Sequence, residues 1–387
     1  MEHYDIIIAG GGMAGLSLAF YLSRSPLRSR SILLVDRERK EKNDRTWCYW
    51  ERGDGPFEAI VYRKWRAIDF YGTSFSGSLD LGDYQYKMLR GIDFYRFMHE
   101  ELQKLPNLDV RFGEITHLED LEQGGMVVVG GKPIVAPVVF DSTYRLPQST
   151  PRTHNLLQHF KGWVITTERD CFDPNRPRVM DFRVEQQEDC RFLYVLPFNK
   201  RQALVEYTIF NEQVLASEAY EDSLRQYIDR FLEAGSYRIE ETEFGIIPMS
   251  DVAVSENPSQ HIVRIGTSGG YTKPSTGYTF QRTQRYLQEL VASMETTNQV
   301  PVRKQPGFPK WFKQALDSVL LNVLQNKRHP ADDVFTKLFQ RNPPERVFRF
   351  MDEDTSFLED LQIVNSMPKG PFAMAVFDLI RQRALHL

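Results

Sequence analysis

A short apolar strand, Tyr4-Asp5-Ile6-Ile7-Ile8-Ala9, runs without a break into Gly10-Gly11-Gly12-Met13-Ala14-Gly15 and then into an alanine- and leucine-rich helix ending near Arg24. This order of elements leaves few folds open. Gly10 permits a tight turn, Gly12 lets the backbone approach a pyrophosphate, and Gly15 allows close packing of helix on strand. The helix start adds free N–H groups and a positive dipole that attract anionic oxygen. A second strand, Ser31-Ile32-Leu33-Leu34-Val35, ends on Asp36, about twenty residues past the loop, where a carboxylate can accept a hydrogen bond from a ribose hydroxyl. Together these features predict a dinucleotide-binding βαβ unit, with Gly10, Gly12, Gly15 and Asp36 as its ligand contacts.

Composition narrows the partners. The formal net charge of the 387-residue chain is −4, so there is no basic excess to neutralise phosphates, and nucleic acid is not an expected partner. Cys48, Cys171 and Cys190 show no C-x-x-C spacing, which suggests neither a disulfide framework nor zinc, and a reducing cytoplasm fits best. His154 and His159 are spaced unsuitably for a helical ligand pair, so no metal site is expected. No apolar run reaches the roughly twenty residues needed to span a bilayer, and Met1-Glu2-His3-Tyr4-Asp5 lacks the basic region of a signal peptide.

Past the first unit, Val135 to Phe140 is an apolar run ending at Asp141, read as a buried parallel strand returning to the same sheet, with Asp141 added to the cofactor contacts. From about residue 155 the pattern changes to longer strands, 163–167, 179–184, 192–198 and 202–210, the last two joined as a hairpin at Asn199-Lys200-Arg201. A separate antiparallel sheet is the simplest account. A strand over 260–265 then enters a second glycine-rich crossing, Gly266-Thr267-Ser268-Gly269-Gly270, followed by Pro274-Ser275-Thr276-Gly277-Tyr278 and a helix. Two glycine crossings far apart in sequence suit FAD, whose length needs one loop for the pyrophosphate and another for the ribityl chain and isoalloxazine; an NAD domain would not need the second. Residues 300–387 carry apolar positions at helical spacing. The expected fold is therefore α/β: a doubly wound, Rossmann-like FAD-binding domain built from 1–62, 85–150 and 241–297, an inserted antiparallel β-sheet substrate domain from 63–84 and 151–240, and a helical C-terminal region, 298–387.

Several segments carry a family likeness over nearly the whole chain. They are the Gly10–Gly15 fingerprint, Arg45-Thr46-Trp47, the strand Phe192-Leu193-Tyr194-Val195-Leu196-Pro197, Leu204-Val205-Glu206-Tyr207-Thr208, Gly245-Ile246-Ile247-Pro248-Met249, and Gly269-Gly270 with Pro274-Ser275-Thr276-Gly277-Tyr278. In this order and spacing the chain resembles the lycopene cyclase family of FAD-containing carotenoid enzymes. One departure from the wider flavoprotein superfamily, Gly266-Thr267 where a Gly-Asp pair is usual, is normal within the cyclases and makes flavin monooxygenation a weaker reading.

The resemblance implies cyclisation of the ψ-ends of lycopene, and of other ψ-ended carotenoids, to β-rings by way of γ-carotene. An acid protonates C2, C6 attacks C1, and the C5 cation is quenched by proton loss from C6. The reaction is redox-neutral, yet the family uses reduced FAD, with NADPH as the expected reductant. The acid must stay neutral in a dry site, and Glu206 suits this: strand alternation sets it beside Leu204, Thr208 and Phe210, with Val205, Tyr207 and Ile209 on the opposite face, so burial should raise its pKa. Asp181 is the second acidic candidate. Met351-Asp352-Glu353-Asp354-Thr355 reads as a solvated turn or helix start. Arg45, Gly269, Gly270, Thr276 and Gly277 join the cofactor contacts, while Lys273 is either a partner of an anionic flavin or a solvated turn lysine. Trp47, Trp163 and Tyr278 read as packing residues before cation-stabilising walls.

A membrane-confined hydrocarbon substrate implies a cytoplasmic enzyme docked on the membrane surface, beside other carotenoid enzymes. The stretches 311–324 and 372–387, amphipathic with Lys or Arg nearby, are the candidate docking helices, although their stripes would equally pack on a core. The rival readings are an FAD-dependent monooxygenase or reductase acting on another isoprenoid lipid, and a flavin-carrying binding protein.

Overall fold

A computed structural model describes residues 1–144, 150, 153–297, 299–301 and 307–384, with the side chains of 383 and 384 outside that description. The opening apolar strand forms as read. β1 (Ile6–Ala9) is buried along its length, α1 (Met13–Ser23) follows, and β2 (Ile32–Asp36), β3 (Leu108–Phe112) and β4 (Val138–Asp141) complete a parallel sheet with the strand Ile262–Arg264. The sheet order is Ile262–Arg264, β4, β1, β2, β3, with every neighbouring pair parallel. α1 is buried almost all round, as a helix covered on both sides must be, and the helix Phe280–Thr297 packs on it through Gln284, which bonds Tyr21 and Ser17 at 3.0 Å each.

The run 135–140 is not one strand. Pro137 lacks an N–H, so the ladder breaks there: Lys132–Ala136 pairs antiparallel with Gly124–Val129 in a second sheet, and only Val138–Asp141 joins the parallel one.

Among the described residues the inserted sheet has seven strands. Its central members are β5 (Asn155–Thr167), β6 (Cys190–Pro197), β7 (Gln202–Asn211) and β8 (Tyr237–Ser250), running β8-β5-β7-β6 and then Arg178–Asp181, Ala67–Tyr71 and Ser76–Asp80. β8 pairs with β5 from Asn155↔Ser250 to Thr167↔Tyr237, so the sheet runs ten residues past the expected boundary at 240. Arg63–Trp65 also departs from expectation, pairing with Tyr84–Arg90 in a small separate sheet with Thr46–Arg52.

Alternation gives the large sheet two apolar faces. Trp163, Ile165, Val205, Tyr207 and Ile209 pack under α2 (Ser217–Phe231), against Tyr220, Leu224 and Ile228. The opposite face, with Phe192, Leu196, Leu204 and Phe210, meets Val319 of α3 (Phe308–Gln325) and Phe335 of the following helix, Ala331–Arg341. The chain closes with Pro344–Met351, Phe357–Ser366 and α4 (Lys369–Ala384).

Candidate active site

The first glycine loop is built to receive a ligand. A Cβ on Gly15 would lie 1.9 Å from the Gly10 carbonyl oxygen, and one on Gly10 (φ +103°) would lie 2.3 Å from Ser142 Oγ. Both positions are closed to side chains. At Gly12 the reverse holds: nothing lies within 4 Å of where its Cβ would be, and as N-cap of α1 it offers no side chain to the first-turn N–H groups. Those donors are left for an external acceptor. Asp36 closes the loop by accepting from Gly11 N at 2.8 Å.

The second glycine loop is fixed from below by a buried ionic cluster. Lys273 Nζ lies 2.8 Å from Asp317 on α3 and 3.1 Å from Glu353, Arg282 lies 2.6 Å from Glu353, and Ser275 donates to Asp317 at 2.6 Å. Lys273 is 3% exposed, so it is neither a solvated turn lysine nor free to pair with a flavin. Burial pushes the Glu353 carboxyl up, but Lys273 and Arg282 outweigh that and hold it down at about 2. The 351–355 stretch is thus an anchor and not a solvated turn, with Asp352 paired to Arg285 at 2.8 Å. Through this cluster the C-terminal helices set the position of Pro274-Ser275-Thr276-Gly277.

Between the two loops and the large sheet lies a cleft of about 370 Å³. Gly12, Arg45, Thr46 and Trp47 line it with Thr276, Gly277 and Tyr278, and the sheet contributes Gln158 and Phe160 from β5, Tyr194 and Leu196 from β6, Leu204 and Glu206 from β7, and Gly245 to Pro248 from β8. Apart from Glu206 and Gln158 the sheet's contribution is apolar or aromatic. Gln158 Oε1 is buried here without a partner among the described residues, an acceptor waiting for a donor. The anion-ready helix start, the vacant space at Gly12 and this orphan oxygen fit the long, polar-edged cofactor that the sequence implies.

Glu206 faces the cleft as strand parity predicts. Thr208 donates to it at 2.8 Å, and burial, then the neighbouring Glu243, push its carboxyl well above the usual range. Glu243 was not legible as a site residue. In the ladder Gly162 of β5 pairs with Glu206 on one side and Glu243 on the other, so the row across four strands reads Glu243, Gly162, Glu206, Tyr194. A Cβ at 162 would come 3.0 Å from Glu243 Cγ and 3.1 Å from its Oε1. The missing side chain is what lets two carboxyls from non-adjacent strands meet. Burial raises Glu243 as well, while the proximity of Glu206 and the Thr46 hydroxyl, 2.9 Å away, act the other way. Two ionised carboxylates about 4 Å apart repel by about 4 kcal/mol at an effective dielectric of 20, so such a pair holds on to one proton. A glycine inside a strand signals close approach, and Glu243 stands two residues before Gly245; those were the available clues.

Other sequence candidates lie elsewhere. Asp181 is fully buried but outside the cleft, held by Arg183 and by the Tyr227 hydroxyl, each at 2.5 Å. Trp163 is on the α2 face beneath Arg225. Arg45 is at the cleft wall beside Asp44, 3.2 Å away. Asp141, which accepts from Thr143 N at 2.9 Å, lines a second and larger cavity of about 1020 Å³ together with Gly269 and Gly270. Size does not decide between the two: Glu206 lines only the smaller, and Tyr144, Pro248 and Thr267 line both, so the two are contiguous.

The architecture is shared with solved flavoproteins. A geranylgeranyl bacteriochlorophyll reductase-like protein from Thermoplasma acidophilum matches over 99% of this chain and all of its own at a TM-score of 0.60 and 12% identity, and the halogenase PltM over 99% and 97% at 0.58 and 13%. The family model described as lycopene cyclase protein matches residues 5–376, and the chain belongs to that family. It is 22% identical over 390 residues to a lycopene beta-cyclase of Pseudescherichia vulneris and 25% identical over 399 residues to one of a Paracoccus strain, with 96% of each chain covered in both comparisons.

Proposed function

We propose that this chain is a lycopene beta-cyclase in which Glu206 is the general acid. The observation that carries the reading is the position of Glu206: a half-buried carboxyl that desolvation and the nearby Glu243 hold toward its neutral form, on the largely apolar sheet wall of a cleft that the two glycine loops also line. Protonating an unactivated alkene needs an acid that water does not level, and the cleft walls provide the dry surroundings. Glu206 delivers its proton to C2 of a ψ-end, C6 closes on C1, and the C5 cation loses the C6 proton to give a β-ring. Tyr194 and Tyr278, partly buried at the same wall, offer aromatic rings and neutral hydroxyls beside a cationic intermediate.

The cofactor contacts in this reading are Gly10, Gly12, Gly15 and Asp36 at the first loop, Thr276, Gly277 and Arg45 at the cleft, and Asp141, Gly269 and Gly270 in the contiguous cavity. Reduced FAD, with NADPH as reductant, would supply a negative charge beside the cation. The seven-stranded sheet serves as the substrate domain. Asp181, tied to Arg183 and Tyr227, has a structural role.

Among the described residues no helix is long and apolar enough to cross a membrane. α4 nevertheless exposes Met374, Phe377 and Ile380 along one stripe, with the buried Ala375 on its other side, and Leu358 of the preceding helix is exposed too. Docking of this surface on the cytoplasmic face of a membrane, where lycopene and its neighbouring enzymes reside, completes the proposal. The test is anaerobic incubation with lycopene liposomes, FAD and NADPH, with wild type beside Glu206→Gln. β-Carotene from the wild type alone, without stoichiometric NADPH loss, supports the reading. Unchanged lycopene with bound, reducible flavin would favour a reductase or monooxygenase of another isoprenoid lipid.

A further inference from the structure

Glu243 has no assigned part in the chemistry, yet its surroundings are unusual. Its residue is 7% exposed, Oε2 accepts from Thr46, and Oε1, which lies over Gly162, has no donor among the described residues. A buried carboxylate oxygen does not stay unsatisfied without reason. The neighbour able to satisfy it is Glu206, by donating its own carboxyl proton.

Resting on the reading of Glu206 as the acid, we propose that Glu243 is its positioning residue: the two carboxyls hold one proton between them across Gly162, keeping Glu206 neutral at rest and calling the proton back after each transfer. The balance closes over one ring. In the resting pair Glu206 carries the proton and Glu243 the charge. The O–H bond of Glu206 breaks as the C2–H bond forms, leaving two facing carboxylates beside a carbocation. Loss of the C6 proton to the pair, directly or through the groups lining the cleft, restores the single shared proton. No oxidant or reductant enters the step.

The surroundings favour this arrangement. The charged groups acting on Glu243, Glu241 on its own strand and Asp44 from across the cleft, are acidic and add to the proton's retention, while Arg45, at the cleft wall, is paired with Asp44. The other titratable groups facing the pair, Cys48, Tyr194 and Tyr278, are held neutral by burial. Thr208 donates to Glu206 and Thr46 to Glu243, so each carboxyl is oriented by a hydroxyl. Tyr194 abuts Glu206 on the far side of the row, and a side chain at 162 would fill the gap between the carboxyls.

The test reads the proton itself, without substrate. Protein labelled with ¹³C-carboxyl glutamate is titrated by infrared difference spectroscopy as wild type, Glu243→Gln and Thr46→Val. Glu243→Gln replaces an acceptor charge with an amide that donates to ionised Glu206, so the protonated-carboxyl band should vanish at a pH at least one unit lower. Thr46→Val removes a donor from Glu243 and should move the midpoint to higher pH. In turnover with lycopene liposomes the alkaline limb of Glu243→Gln should shift down likewise, about tenfold in rate above the limb, with KM unchanged. Identical midpoints in wild type and both variants would overturn the pair. Shifted midpoints without cyclisation by the wild type would overturn the acid assignment and the positioning role with it. If Glu243→Gln does not fold, Glu243→Asp, with the charge drawn back by one methylene, must still show a lowered midpoint or the proposal fails.

Discussion

Gly277 and Gln158 meet at the seam between the second glycine loop and the large sheet: Gly277 holds φ at +73°, and a Cβ there would lie 2.3 Å from Gln158 Oε1. Gly277→Ala should cost about 1–2 kcal/mol for the left-handed backbone alone, with further loss from the collision. Thermal melting should show it, and fluorescence titration should show weaker flavin binding. Adding Gln158→Ala removes the collision and not the strain, so the double variant should regain part of the melting temperature.

The two closely spaced glycines of the first loop should behave differently. Gly12→Ala meets no protein atom within 4 Å and should fold with an unchanged melting temperature while losing flavin, because the methyl occupies the ligand's place. Gly15→Ala would set a Cβ 1.9 Å from the Gly10 carbonyl and should lower both. Flavin content after purification, compared with the melt, separates the cases.

The pair of glutamates should make stability fall as pH rises. Both carboxyls have raised folded-state pKa values, so the folded protein favours their neutral forms, and that advantage is full below the ordinary value of 4.5 and is lost as pH climbs through the folded values. Glu206→Gln lacks this loss. Its melting temperature should therefore gain on the wild type as pH rises above about 4.5, an expected exchange of stability for function. A constant difference across the range would contradict a Glu206 held neutral by the fold.

Lys273 should be indispensable for a different reason. Lys273→Met leaves Asp317 and Glu353 facing one another with less compensation, and removal of one partner from a buried ionic cluster costs about 3–5 kcal/mol. Glu353 works in the opposite pH direction from Glu206: its depressed value of about 2 means that its contribution is present above 4.5 and is lost as pH falls toward 2. Denaturant unfolding at neutral and acid pH should show the mutant's deficit narrowing in acid.

Phe377 and Ile380 should matter only at a lipid surface. Substituting both with Glu should leave the melting temperature within about 1 °C, since exposed positions contribute little to packing, and should abolish flotation with liposomes. Retained flotation would move the docking surface elsewhere.

The sequence made the local features legible and left the non-local ones hidden. The Gly10–Gly15 turn depends on residues a few positions apart, and the facing of Glu206 depends only on strand parity, so both could be read directly. Glu243 could not, because its meeting with Glu206 depends on the register of β8 on β5, set by pairings some 80 residues apart, such as Gly162↔Glu243. Lys273 was ambiguous for the same reason: its partners lie 44 and 80 residues away, on segments whose packing no local pattern announces. Asp181 misled because acidity in a strand says nothing of which neighbours neutralise it. Pro137 did carry a local signal, and apolar continuity across 135–140 obscured it.

Proton delivery to carbon is the step on which everything else depends, and it can be traced in the product. With flavin-loaded, reduced protein equilibrated in D₂O beforehand and held in excess over lycopene in liposomes, the first ring closed should carry one deuterium at C2, formed at a rate that collapses in Glu206→Gln. Unlabelled β-rings, or label that enters equally with Glu206→Gln, would contradict protonation by Glu206.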